Sequence, residues 1–385
     1  MHLGLRMHLT PYYRRVIRIR QGGFRHIDRK SSNFRRLWAH MTPDDMTWVP
    51  DSWVPDKVAV LAGGIGGARF LAGLRAHLGT SEITVIGNTG DDIWVHGVRV
   101  CPDLDTVMYT LGGGISAERG WGREAETFVV REELAAYGAE PTWFGLGDRD
   151  LATHLIRTQS LRAGYPLSQV TEALCQRWQP GVRLIPMTDD RAETHVIVDD
   201  PDGARDDSGQ PARIAIHFQQ WWIQHRAGLP AHGFRVVGID EARPAPGVLE
   251  AIEDADLICF PPSNPVVSIG VILQVPGVAE AITSARAPVV GLSPIIGSAP
   301  VRGMADACLA AIGLPTTAEA VATHYGARSD GGLIDAWLVH ETDAAAVPAI
   351  EAAGIRARAV PLLMTDTAAT AQMAAAAIDL AAGLR

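Results

Sequence analysis

Several kinds of feature are missing from this 385-residue chain. It has four cysteines, Cys101, Cys175, Cys259 and Cys308, far apart, each beside apolar neighbours and with no C-x-x-C pair. That pattern argues against a disulfide frame or a cysteine zinc site and fits reduced thiols in a cytoplasmic protein. No apolar run approaches the roughly 18 residues that span a bilayer, and the Ala-rich stretch near the C-terminus is interrupted by Asp366 and Asp379, so no membrane partner is expected. The chain contains neither GxxxxGK[ST] nor GxGxxG, so it matches no Walker loop and no dinucleotide fingerprint. What it does have, 47% hydrophobic residues with 39 Gly and 24 Pro, is enough apolar material for one large or two moderate globular domains.

Charge is unevenly spread. Residues 1–40 hold ten Lys and Arg against one acid, Asp28, a balance of +9, so the overall −9 leaves −18 on the remainder. The basic segment lacks the apolar stretch of a secretory signal and has no clear amphipathic face. Residues 1–56 read as a disordered extension, from an upstream start codon with Met41 or Met46 as the true start, rather than as an arm for nucleic acid; no nucleic-acid partner is expected. An acidic body that handles anionic substrates needs a cation or a focused arginine cluster to bring them in.

The most informative stretch is residues 87–105, GNTGDDIWVHGVRVCPDLD, which places Asp91, Asp92, Asp103 and Asp105 within fifteen positions. Crowded carboxylates suit a hard cation, and Mg2+ in particular uses one or two of them together with substrate phosphates, so the cluster points to phosphoryl chemistry. Turn and helix-cap roles for the same aspartates are the competing explanation. The histidines His96, His154, His195 and His217 read mostly as structural, and an aspartate serves equally well as a base. Trp94 is the aromatic nearest the carboxylates and the one placed to stack on a flat heterocycle, whereas Trp143, Phe144, Trp221 and Trp222 read as core.

The folded part is expected at residues 57–385. Val58–Ala62 is a short apolar run, followed by the glycines Gly63, Gly64, Gly66 and Gly67 and then by helical spacing over Ala68–Leu78. A strand, a glycine turn and a helix in that order let backbone amides approach a phosphate. A second strand at Ile83–Gly87 completes a βαβ unit and puts Asn88 and the aspartates at its carboxyl end, where open α/β sheets bind ligands. Helices are expected at Glu132–Tyr137, Asp148–Arg157 and Leu167–Trp178, the last capped by Ser168. A hairpin should join His195–Val198 to Arg213–Phe218. Strands then alternate with helices at Arg235–Gly238, Leu257–Phe260, Val289–Leu292, Ala336–Val339 and near Val360, before an Ala-rich helix from about Ala368. The whole reads as α/β: a doubly wound, Rossmann-like, mostly parallel sheet with a mainly helical insertion at about 107–233. The loops PPSNP and SPIIG follow strands directly. Ser263 and Asn264 offer groups able to read a base or ribose. In GLGDRD, Asp148 suits a helix cap and Arg149 a phosphate.

Taken in order, AGGIGGARFLAGL, NTGDDIWVHG, CPDLDTVMYTLGGG, GLGDRDLATH, AETH, IHFQQWW, PPSNPVVSIG, SPIIG and PLLMTD resemble the CofD/FbiA family of coenzyme F-420 biosynthesis, from about residue 57 to the end, and in particular its actinobacterial branch. The resemblance implies a Mg2+-dependent transferase that joins a phosphoenolpyruvyl or 2-phospho-L-lactyl group to the ribityl hydroxyl of the deazaflavin Fo. The donor would be an enolpyruvyl- or lactyl-diphosphoguanosine, GMP would leave, and dehydro-F-420-0 would be the product. It implies a homodimer, and for Asp105 a contact to Fo; Asp92 is taken as its partner in holding the metal. A lysine that contacts Fo in archaeal members, just before LGDRD, is replaced by Gly145. Two other readings stay open: a non-catalytic nucleotide-sugar-binding regulator of the gluconeogenesis-factor type, which PDLD and GDRD argue against, and an NAD(P)-dependent oxidoreductase, for which the glycine spacing is wrong.

Overall fold

The computed structural model describes residues 53–385, together with a two-stranded ribbon pairing Arg18–Ile19 with Met46–Thr47. The rest of the basic segment, with its expected disorder and alternative starts, lies outside the described residues. The fold is organised by seven strands: β1 (Lys57–Ala62), β2 (Glu82–Gly87), β5 (Arg183–Pro186), β9 (Leu257–Phe260), β10 (Val289–Leu292), β11 (Ala336–His340) and β12 (Arg356–Val360). They lie in the order β12-β11-β10-β9-β1-β2-β5, and every pairing is parallel. A parallel sheet covered on both faces needs strands that are apolar throughout, and Val58–Ala62, Leu257–Phe260 and Val289–Leu292 are buried at every position. From β1 the chain runs outward through β2 and β5, then returns to the other side of β1 and runs outward again from β9. The loops leaving β1 and β9 therefore diverge and open a crevice at the carboxyl edge of the sheet.

Helix α1 (Gly64–Leu78) follows β1 and packs on the C-terminal α11 (Thr367–Ala382). In α11 the buried residues Thr370, Met373, Ala374, Ala377, Ile378 and Ala381 recur at helical spacing, and Asp366 caps its start by accepting a 2.8 Å bond from the Ala369 amide. The alanines let the two helices approach closely. Across the interface Gly73 sits against Thr370, whose backbone carbon would lie 2.5 Å from a Cβ built at that glycine.

The region after β2 is less helical than the sequence implies. A hairpin of β3 (Ile93–Val95) and β4 (Val98–Val100) leads into α2 (Pro102–Leu111), followed by α3 (Val129–Ala136), α4 (Asp148–Arg162) and α5 (Leu167–Trp178). Then comes β5, a member of the main sheet that lies inside the expected insertion and carries no strong sequence signal. Next, β6 (Glu193–Asp199), β7 (Arg213–His217) and β8 (Ala231–Val237) form a separate antiparallel sheet with β6 in the centre. The strand expected at Arg235–Gly238 is thus β8, which pairs with β6 and not with the parallel sheet. Ser168 is not the cap of α5: its amide and hydroxyl both donate to Asp189, at 2.6 and 2.8 Å, so the helix is capped by a carboxylate from the loop after β5. The described residues Pro55–Arg385 form one unit.

Gly73→Ala should lower the unfolding free energy by about 1–3 kcal/mol through overpacking of α1 on α11. Denaturant unfolding of the variant against the wild type measures this; equal midpoints would mean that the two helices separate at no cost.

Candidate active site

The two diverging loops close on each other. The Ser263 hydroxyl donates to the Gly63 carbonyl at 2.8 Å and accepts from the Gly63 amide at 3.3 Å. A Cβ at Gly66 would lie 2.3 Å from the Pro262 carbonyl oxygen, and one at Gly67 2.7 Å from the Ser263 hydroxyl. Gly66 and Gly67 are therefore glycines because the PPSNP loop lies against the first turn of α1. Gly64 is glycine because its φ is +64°. Asn264 works inside its own loop, accepting from the amides of Val266 and Val267 at 2.9 and 3.2 Å.

The four aspartates converge beside this junction and are buried to 7, 0, 6 and 4% exposure for Asp91, Asp92, Asp103 and Asp105. They fall into two pairs. Asp103, in the first turn of α2, accepts from the Gly64 amide at 2.7 Å and from the Asn88 side chain at 2.9 Å. The same Asn88 amide lies 3.3 Å from Asp91, so one buried side chain bridges two carboxylates. The other pair is held by arginines. The Arg157 guanidinium forks both oxygens of Asp105, and Arg99 donates to Asp92 at 3.3 Å while also reaching Glu193 at 3.4 Å. Asp92 Oδ1 is buried with no partner.

Arg157 reaches this place because α4 is inside out. It buries Thr153, His154, Arg157 and Thr158, and turns Leu155 and Ile156 to the surface. His154 adds a 3.7 Å approach to Asp105 through Nδ1 and a 3.4 Å approach to Asp150 through Nε2. Tyr109 donates to Asp150 at 2.6 Å. Across the crevice the small antiparallel sheet grips the aspartate loop by its backbone. The Thr194 amide bonds the Gly90 carbonyl at 2.7 Å, Gln219 the Asp91 carbonyl at 3.4 Å, and His217 Nε2 lies 3.3 Å from the Asp92 carbonyl.

The sequence-derived residues Asn88, Asp92, Asp103, Asp105, Gly63, Gly64, Gly66, Gly67, Ser263 and Asn264 thus lie in this crevice or in the loops that form it, with Trp94 half exposed near its rim and 6.0 Å from the Arg99 guanidinium. Arg149 is elsewhere, exposed at the start of α4 and lining a separate cavity with Arg177 and Trp178. Asp91, one of the four crowded aspartates, is part of the constellation too. Arg99, Arg157, Glu193 and Gln219 also belong to it and were not singled out by motif. Their sequence signals are faint: a charged residue inside the VRV strand, and a histidine and an arginine three apart on a helix. Asp105 already has a cation, since the Arg157 guanidinium donates to both its oxygens, so a Mg2+ ion there would meet a like charge. Asp91 and Asp103 do fit, as two buried carboxylates facing each other at the glycine turn with substrate phosphate left to complete the shell.

Residues 58–378 match the family model described as 2-phospho-L-lactate transferase CofD. The chain is 60% identical over 325 residues to a phosphoenolpyruvate transferase of Nocardia farcinica, covering 84% of this chain and 95% of that one. It is 64% identical over 329 residues to a phosphoenolpyruvate transferase of Streptomyces griseus, covering 86% and 99%. The chain belongs to the CofD family. It is accordingly an enzyme, a transferase of a substituted phosphate group. A crystal structure of a UPF0052-family protein from Bacillus halodurans superposes with a TM-score of 0.54 at 17% identity, over 84% of this chain and 99% of that one, which shows the shared fold.

In this CofD-family site the carboxylates are tuned by desolvation. Burial pushes Asp103 up to about 6, against the hydrogen bonds from Asn88 and Gly64. Burial likewise lifts Asp92 to about 6 despite Arg99, and holds Asp91 well above the usual range, with the like charge of Asp103 adding to the effect. Burial lowers His217 to about 4, which keeps its ring neutral against the Asp92 carbonyl.

Because Asp103 holds its proton to about pH 6 in the folded state and releases it near the ordinary carboxylate value when unfolded, its contribution favours folding at low pH and is lost as pH rises from about 4 to 6. His217 acts in the opposite sense over the same range, so the comparison is between proteins. Relative to wild type, Asp103→Asn should gain stability between pH 4.5 and 7, as urea midpoints will show; parallel curves would contradict the raised value. Arg157→Met leaves Asp105 buried without its partner and should cost about 3–5 kcal/mol in the same measurement.

Proposed function

We propose that the protein transfers a phosphoenolpyruvyl group from enolpyruvyl-diphosphoguanosine to the terminal ribityl hydroxyl of the deazaflavin Fo, releasing GMP and giving dehydro-F-420-0. The observation that carries this reading is the desolvated aspartate pair Asp91 and Asp103 set against the glycine turn at the sheet's switch point, in a chain about 60% identical to relatives named phosphoenolpyruvate transferases. The enolpyruvyl donor is favoured over the lactyl one by those names.

Mg2+ at Asp91 and Asp103, when bound, neutralises charge on the donor diphosphate. The first-turn amides of α1 that helix geometry leaves free face the same phosphates. The hydroxyl attacks the phosphorus nearer the enolpyruvyl group, its bond to the GMP oxygen breaks, and the hydroxyl proton passes to a carboxylate. Asp92 suits that role, since burial lifts it to about 6 and its Oδ1 has no other partner. Asp105, fixed by Arg157, keeps lone pairs free to accept a bond from Fo. The flat ring system would enter an apolar cavity of about 280 Å3 bounded by His96, Val98, Phe144, Leu146, Leu151 and Leu155. A second copy of the chain would pack on the exposed apolar side chains Val129 and Ile156, a dimer that sedimentation would detect and a monomer mass would refute.

Incubation with Fo, Mg2+ and enolpyruvyl-diphosphoguanosine should release GMP and give a deazaflavin carrying the phosphoenolpyruvyl mass, with both lost on adding EDTA. Asp103→Ala should lower kcat at least a hundredfold. Tight guanylyl-donor binding without product from any three-carbon donor would instead favour the nucleotide-sugar-binding regulator.

A further inference from the structure

A second cavity, of about 490 Å3, opens where α2 ends in Gly112–Gly114. Arg123, Arg149 and Arg177 line it, from three separate segments: the loop after α2, the first turn of α4 and the last turn of α5. Trp178 forms one wall and Glu124 stands on the lining. Helix rise keeps this place apart from the aspartate crevice. The ten residues of α2 span about 15 Å, and Arg149 lies about 12 Å along α4 from Arg157.

Although Glu124 shares the lining, none of these three cations is in an ion pair among the described residues. Among the described residues the arginines paired with carboxylates are Arg99, Arg157, Arg191, Arg243 and Arg328. Arg123 and Arg149 reach backbone carbonyls instead, Arg149 at 3.4 Å and Glu124 at 3.5 Å respectively. Arg123 Nε is buried without a partner. Arg123 and Arg177 both lie over the Trp178 ring, 4.5 and 4.6 Å from its centroid, so one indole carries two cations. Gly114 admits that ring, since a Cβ there would lie 2.2 Å from Trp178 Cζ3. Arg149 occupies the first turn of α4, where the helix dipole disfavours a cation; Glu126 caps that turn by accepting from the amides of Arg149 and Asp150 at 2.6 and 3.1 Å, Asp148 caps Val129 and Val130, and Asp150 binds Tyr109 and His154. Guanidinium forks converging on one space match phosphate oxygens, and the volume suits a ligand larger than a single phosphate.

We propose that this cavity binds a multiply charged, phosphate-bearing small molecule through Arg123, Arg149 and Arg177, at a site separate from the aspartate crevice. In a body that carries −18 beyond residue 40, it gives such a ligand a local positive field.

Inorganic pyrophosphate is the probe, titrated calorimetrically into the full chain without deazaflavin or guanylyl donor, so the result is independent of turnover. Kd should rise at least tenfold in Arg149→Gln and in Arg177→Gln, both exposed side chains, and stay unchanged in Arg286→Gln, an exposed arginine outside the cavity lining. Added salt should weaken wild-type binding more steeply than that of either cavity variant. Equal binding by wild type and cavity variants overturns the proposal, as does no binding at all. Loss of binding in Ser263→Ala with the arginine variants unaffected would put pyrophosphate at the glycine turn and overturn it as well.

Discussion

The structure depends on one costly arrangement: four aspartate carboxylates held nearly out of water at the carboxyl end of β2. A desolvated carboxylate destabilises a fold unless charge or hydrogen bonding compensates it. The chain uses both solutions side by side. Asp92 and Asp105 each have a buried guanidinium, whereas Asp91 and Asp103 have only the Asn88 amide and one backbone amide. In the first pair the guanidinium groups offset the charge, although Asp92 Oδ1 is left without a partner. The second is left short of positive charge, and that asymmetry separates carboxylates neutralised by the chain itself from carboxylates that are not.

The scaffold around them is general, and the details are specific. A parallel sheet with a switch point between β1 and β9 is shared with a UPF0052-family protein of 17% identity. What gives the crevice its character is how closely the loops approach one another. Three of the four turn glycines serve contacts with Asp103 or with PPSNP, and their missing side chains place the start of α1 directly against Ser263 and Asp103. The turn is thus first a packing device, and any phosphate it accepts meets an already assembled surface.

Much of this was legible in sequence. Leu257–Phe260, Val289–Leu292 and Leu167–Trp178 begin and end where the apolar pattern places them, because strands buried on both faces read as continuous apolar runs and the helix lies between a proline turn and a left-handed Gln179. The crowding of the aspartates after β2 marked the crevice. What escaped reading has physical causes. β5 is a four-residue edge strand ending in Pro186, too short to show alternation and tolerant of proline only because of its place at the edge. The strand at Ala231–Val237 was visible, but its partner was not, since local pattern does not encode which sheet a strand joins. Arg157 was hidden because α4 reverses the usual rule and buries its polar face. The division of the aspartates into two pairs needed partners 39 and 52 residues away, at Gly64 and Arg157.

The grip of the small antiparallel sheet on the aspartate loop has a consequence for how the site comes into being. The bonds from His217 and Gln219 close loops of 125 and 128 residues, and those joining Asn88 to Val267 and Ser263 to Gly63 close loops of 179 and 200. Contacts of such long range form only after most of the chain entropy has been surrendered. No early folding intermediate and no proteolytic fragment lacking the hairpin strands would carry the carboxylate geometry. The aspartate loop therefore acquires its shape only when segments from both halves of the chain have met.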